Sequence, residues 1–282
     1  MKRILVPVDF SKCSEKALHI AAQIAHRTNA EIILLHLIDL PSGEIGFAKG
    51  GTPTGPAAIL LMEDARKKFN VLLEKPYLQG LKVEDYLDFN KTVEGIAEYA
   101  EKKNVDIIVM GSHGTGKKSG FFVGSNTEKV VRSSKIPVLV IKKFVKEFDP
   151  KTIVFASNFK DNCDICFKKL IQFSKIFNSN IHLLRINTPL KFLASHESER
   201  LIENFIEKFK NDYPEKQMKP AVYDDYSVQE GIFHFANREN ADLIALSTHG
   251  RQGLWHFLQD SIAEDIVNRA DINILTFRLP DK

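Results

Sequence analysis

Residues 93–114 read VEGIAEYAEKKNVDIIVMGSHG, and residues 229–250 read QEGIFHFANRENADLIALSTHG. Each stretch runs through a helical pattern into a short apolar segment and ends on His-Gly. Working outward, ILVPVDF from Ile4 is answered by IVFASNF from Ile153, and EIILLHLID from Glu31 by NIHLLRINT from Asn180. The final segments IPVLVIKK and INILTFRL also correspond. Four blocks in the same order mean two copies of one unit. Ile4 and Ile153, like Glu31 and Asn180, lie 149 residues apart, whereas Val93 and Gln229 lie 136 apart. The thirteen extra residues of the first copy fit DLPSGEIGFAKGGTPTGP, a Gly/Pro-rich stretch that reads as a surface loop.

Within each copy, β-rich apolar runs alternate with helix-length segments, the mark of a parallel α/β sheet. In the first copy, residues 3–8 form a fully buried strand. Ser11 caps the next helix, whose Ala17, Leu18, Ala21, Ile24 and Ala25 are spaced to face the sheet. Strands are expected at 31–38, 81–89, 106–110 and 136–141, and helices at 56–78, 93–103 and 125–134. Asn104 ends one helix, and Pro137 suits an edge strand. In such a doubly wound sheet, ligands collect at the carboxyl ends of the strands, where the strand order reverses.

Composition narrows the function. The 282 residues are 44% hydrophobic and 27% charged, as in a folded globular chain. A net charge of +3, from 39 basic and 36 acidic residues, does not suggest nucleic acid as a partner. No apolar run is long enough for a signal-peptide core or a bilayer span, so no membrane association is expected. With three cysteines and no secretion signal, a cytoplasmic setting is expected.

The carboxyl end of the fourth strand carries MGSHGTGKKSGFFVGSNTEKVV, residues 110–131. Gly111, Gly116 and Lys117 begin a P-loop pattern, but Lys118 stands where the magnesium-binding hydroxyl is required, and the helical pattern starts only near Ser125. What remains is G-x2-G-x9-G-S-N, through Gly111, Gly114, Gly124, Ser125 and Asn126. Glycines allow a tight turn and a close ligand approach. The helix after Gly124 offers unpaired N–H groups and the positive end of its dipole to an anion. Asp9 lies across the cleft, placed for a ribose hydroxyl or a phosphate-bound metal.

The tandem copies, the ILVPVDFS opening and the G-x2-G-x9-G-S signature together resemble the universal stress protein family, over nearly the whole chain. The signature is that of its ATP-binding subclass. The resemblance implies two tandem Rossmann-like α/β domains, residues 1–145 and 150–282, each a five-stranded parallel sheet of order 3-2-1-4-5 with helices on both faces. It implies ATP, with magnesium as a companion ion, in the first domain. Pro7, Val8 and Asp9 would flank the adenosine, and the Leu37 backbone would meet adenine. Met110 and Gly111 would border the ribose, and Gly114, Gly124, Ser125 and Asn126 would hold the phosphates. Lys117 and Lys118 would add charge near the triphosphate or stay solvated. His113 would either contact phosphate or, since His249 repeats it, serve structure.

The second copy departs from this pattern. Gly111 becomes Ser247, Gly124 becomes Asp260, Asp9 becomes Asn158 and Pro7 becomes Ala156, while Gly114 persists as Gly250. An Asp260 carboxylate would cap its own helix. It would also repel a phosphate at 4 Å by about 4 kcal/mol at intermediate dielectric. The second copy is therefore expected to keep the fold without the nucleotide. Cys163-x-x-Cys166 admits a redox or metal role, but Cys166 aligns with buried Ala17 and reads as a packed thiol. No triad is recognisable, and no base is placed to activate water. The leading expectation is an ATP-binding stress-response module with an unidentified protein partner, the two copies forming an intramolecular pseudo-dimer through their final strands and the chain itself a candidate homodimer. A slow ATPase and a nucleotide-independent partner-binding tandem remain the alternatives.

Overall fold

The computed structural model describes residues 1–38, 55–89, 94–112, 124–159, 163–248, 266–267 and 271–279. The first half runs β1 (Arg3–Pro7), α1 (Lys12–Thr28), β2 (Glu31–Leu37), α2 (Pro56–Leu73), β3 (Val83–Asp88), α3 (Glu94–Lys102), β4 (Ile107–Gly111), α4 (Ser125–Ser133) and β5 (Val138–Ile141). The second half repeats it with β6 (Thr152–Ala156), α5 (Asp164–Phe177), β7 (Asn180–Asn187), α6 (Ser195–Phe209), β8 (Met218–Asp224), α7 (Val228–Arg238), β9 (Leu243–Thr248) and β10 (Asn273–Arg278). Among the described residues no helix is long and apolar enough to cross a membrane.

The local causes are those the sequence carries. Ser11 accepts from the Ser14 N–H at 3.2 Å and starts α1. Asn29, in the left-handed region at φ 52, closes it. Ala17, Leu18, Ala21, Ile24 and Ala25 are fully buried. Alternation along the strands splits the core into two faces. Ile4, Val6, Ile32 and Leu34 join α1, α2, α5 and α6 on one; Leu5, Ile33 and Leu35 join α3, α4 and α7 on the other. One sequence expectation fails: α2 ends at Leu73, and Pro76–Leu78 form a separate 3₁₀ turn. Pro76 lacks an N–H and disfavours the helical conformation at Lys75, so the helix cannot reach residue 78.

All ten strands form one sheet in the order β3-β2-β1-β4-β5-β10-β9-β6-β7-β8. Each half is therefore parallel with order 3-2-1-4-5, and the sheet is mixed because β5 and β10 pair antiparallel, Leu139 opposite Leu275. Thus β5 is an edge only of its own half, and Pro137 stands just before it. The apolar residues beside the final strands, Phe144, Val145, Phe148 and Phe277, are expected from the sequence to bury this seam; Phe148 and Phe277 are buried and Val145 is half-buried. Phe144 is instead exposed, its ring 5.3 Å from His19 on α1, because it leaves β5 toward the outer face of that helix.

Two cations cross the seam reciprocally. Arg278 at the end of β10 donates to the Ser133 carbonyl, the last residue of α4, at 3.0 Å. Lys142, just past β5, donates to the Val267 carbonyl of the second half at 3.0 Å. A cation near the C-terminal carbonyls of a helix is favourable. Burial nevertheless pushes the Lys142 ammonium down from 10.5 to about 8. Between these values the unfolded chain holds a proton that the folded chain has released, so the stability due to this residue rises with pH across that window and is lowest below pH 8. Lys142→Met is expected to raise Tm at pH 7 and to flatten that rise. Parallel Tm curves for the two proteins from pH 7 to 10 would refute this.

Candidate functional site

The candidate residues gather where β2, β1 and β4 end side by side, since β1 lies between the other two. Pro7 is the last residue of β1, Leu37 of β2 and Gly111 of β4. The chain leaves β4 at Ser112 and returns at Gly124, whose N–H donates to the Ser112 carbonyl at 2.7 Å. Buried Thr127 donates its hydroxyl to the Gly111 carbonyl at 2.9 Å. These two bonds seat the first turn of α4 directly on the end of β4. Gly124 is its N-cap and supplies no side-chain cap, and Ser125 and Asn126 in the first turn are exposed. This helix start therefore presents backbone N–H groups toward the end of the sheet. Glu128 stands one turn in and offsets part of the helix's positive end. His113, Gly114, Lys117, Lys118, His249, Gly250 and Asp260 lie outside the described residues.

Opposite α4, the end of β1 is tightly built. The Val8 N–H donates to the Leu35 carbonyl at 2.8 Å, and the Val8 carbonyl lies 2.7 Å from His36 Nδ1. A carbonyl only accepts, so Nδ1 carries the proton and Nε2 is left as an acceptor. Burial lowers the His36 pKa and favours this neutral form. Asp9 Oδ1 accepts from the Ser11 N–H at 3.1 Å, which folds the chain into α1. Phe10 then takes φ 60, a left-handed conformation rare for an aromatic residue, and its counterpart Phe159 repeats it at φ 56. The Phe10 ring packs on His36 at 4.5 Å and on Phe69 at 5.2 Å. The side chains of Met110 and Val8 are buried among the core residues.

Gly111 has a reason that the sequence did not reveal. A Cβ there would sit 2.8 Å from the carbonyl carbon and oxygen of Cys13, so β4 and the first turn of α1 can approach only over a bare Cα. Thr127, Cys13 and His36 escaped the sequence reading because each acts across elements distant in the chain. The signal for Thr127 was a hydroxyl in the first helical turn; for His36 it was a polar residue on the inward face of a buried strand. Cys163 and Cys166 are buried and unbridged, and burial pushes the Cys166 thiol up to about 11. That is a packed thiol, not a reactive one. Among the described residues no cluster of His, Cys, Asp and Glu is placed to hold a metal. A cavity of about 300 Å³ opens at the other end of the second half, by the linker; its lining includes Glu147, Asp149, Asp242 and Asp271. That acidic lining is the reverse of what a polyphosphate needs.

Two doubly wound α/β halves sharing one sheet, with an open helix N-terminus at the strand ends of the first, define a tandem α/β protein. The universal stress protein family model matches residues 1–142 and 150–278, and the chain belongs to that family. A universal stress protein of Methanocaldococcus jannaschii is 34% identical over 154 residues, spanning 50% of this chain and 95% of the relative. One from Synechocystis is 23% identical over 302 residues, covering 99% of this chain and 100% of the relative. Among solved structures, a universal stress protein from Archaeoglobus fulgidus superposes with a TM-score of 0.78 at 20% identity, covering 98% of both chains. That likeness extends to the whole tandem architecture.

Proposed function

We propose that the first half binds ATP at the carboxyl ends of β1, β2 and β4, and that the protein is a cytoplasmic, nucleotide-dependent binding or signalling module of the stress response. The observation that carries this is the start of α4, uncapped by any side chain at Gly124 and tied to β4 through Ser112 and Gly111. Gly124, Ser125 and Asn126, with His113 and Gly114, hold the phosphates. Pro7, Val8, Asp9, Met110 and Gly111 surround the adenosine, and the Leu37 backbone meets adenine. Asp9 is the one acidic group assigned beside a magnesium ion. The bounds 1–145 and 150–282 belong with this reading as one nucleotide-competent and one degenerate domain.

Purified protein is expected to carry one adenine nucleotide per chain, read by denaturing it and resolving the supernatant by anion exchange. Calorimetry finding two equivalent sites per chain would overturn the assignment to the first half. Phosphate release is expected to be slow or absent, since the sequence of the glycine loop supplies no evident base to activate water; rapid turnover would favour the ATPase reading. Protein that neither carries nor binds nucleotide would favour the partner-binding tandem.

A further inference from the structure

Superposed by register, His36 of β2 corresponds to Arg185 of β7, because Pro7 pairs with Leu35 as Ala156 pairs with Leu184. Arg185 is only 7% exposed. Its Nη1 donates to the Asn158 carbonyl at 2.8 Å, while its buried Nε has no hydrogen-bond partner. None of the ion pairs among the described residues includes it. Desolvation alone acts on its pKa, and it acts downward. Two residues along the same strand, Asn187 is 1% exposed; its amide donates to the Leu193 carbonyl at 3.1 Å, and its Oδ1 is likewise buried without a partner.

A buried guanidinium stays charged, and an uncompensated buried charge is costly. Buried polar atoms are ordinarily satisfied, so an orphan donor and an orphan acceptor on one strand end call for an explanation. The change from the first half points one way. There the same strand ends carry the Asp9 carboxylate and a neutral His36; here they carry the uncharged Asn158 and the cationic Arg185. At these two aligned positions a negative charge has been replaced by a positive one. With Nη1 tied to Asn158, the free edge of the guanidinium is the Nε side, a fork that matches two oxygens of one planar or tetrahedral oxyanion.

We infer that the second half has its own ligand site at the ends of β6 and β7, in which Arg185 holds the carboxylate or phosphate group of a small molecule and Asn187 Oδ1 accepts from a hydroxyl on it. The degenerate half is then a sensor of a different anion from the nucleotide bound by the first. The test uses the full chain labelled with ¹⁵N-arginine, with the Arg185 Nε–H signal assigned by its absence in Arg185→Lys. Inorganic phosphate is titrated in one arm and acetate in another. The expected result is a saturable shift of the Arg185 signal in one arm, which identifies the group, and at least tenfold weaker binding in Arg185→Gln. Arg185→Met is expected to raise Tm in anion-free buffer and to abolish the stabilisation that the anion gives the native protein. An Arg185 signal unmoved by either anion through the millimolar range would overturn the inference. So would an Arg185→Met protein that loses stability in anion-free buffer, because the charge would then serve the fold alone.

Discussion

Gly124→Asp is expected to weaken ATP binding at least tenfold, about 1.4 kcal/mol, while raising the stability of the protein. Gly124 sits at φ −62 and ψ 143, ordinary extended backbone that any residue adopts, so the change introduces no strain. An Asp side chain there would accept from the first-turn N–H groups, which Gly124 leaves uncapped, and would add a few tenths of a kcal/mol over glycine as an N-cap. The same carboxylate would face the phosphates across roughly 4 Å, a repulsion of about 4 kcal/mol at intermediate dielectric before screening by salt. Gly124→Ala adds neither cap nor charge and is expected to bind ATP far more nearly like the native protein. Calorimetry for affinity and thermal unfolding for stability read the two effects separately. Unchanged affinity in Gly124→Asp would remove the α4 start from the phosphate site.

How much of this was legible in the sequence depends on how local each cause is. Ser11, the apolar spacing of α1 and Asn29 lie within one helix, and the helix forms as they dictate. Strand adjacency at the seam was legible because two apolar final strands need cover, and β5 and β10 provide it for each other. The end of α2 was misread because apolar spacing continues past Leu73 while Pro76 breaks the backbone. Phe144 was misplaced because its composition gives hydrophobicity but not direction. Gly111 was read as room for a ligand; that it is also needed for the approach of the Cys13 backbone, nearly a hundred residues earlier, was not legible. Such contacts exist only once β1, β4 and α1 are assembled. In the second half the matching position is Ser247, and α5 begins at Asp164, whereas the residue equivalent to Lys12 is position 161. A side chain at that strand end accords with a helix that starts later.

Phe148→Ala is expected to cost about 3–5 kcal/mol, the range for emptying a buried phenylalanine site, and to uncouple the two halves. Phe148 belongs to neither sheet half; it lies in the linker between β5 and β6, yet is only 2% exposed. Its ring meets Phe177 of α5 edge-on at 5.5 Å, which ties the linker to the second half. Its N–H donates to Gln23 Oε1 of α1 at 2.7 Å, and Gln23 Nε2 donates back to the Lys146 carbonyl at 3.1 Å, which ties it to the first. Arg27 of α1 adds an ion pair to Asp149 at 3.3 Å and lies 5.2 Å from the Phe177 ring centre. The phenylalanine is thus the apolar centre of a clamp whose polar arms are half-exposed and individually worth little. The core cluster on this face runs through both halves, so the native chain is expected to unfold in one transition. Removing the ring takes away the apolar centre and leaves β5–β10 pairing, the Lys142 and Lys143 N–H groups on Asn273 Oδ1, the reciprocal cations and the polar arms of the clamp, and unfolding should separate into two steps. Urea denaturation followed by far-ultraviolet circular dichroism and by the fluorescence of Trp255, the single tryptophan, distinguishes the cases. Coincident curves shifted by less than about 1 kcal/mol, well below the range for a large buried truncation, would mean that the linker merely covers the seam and does not hold it.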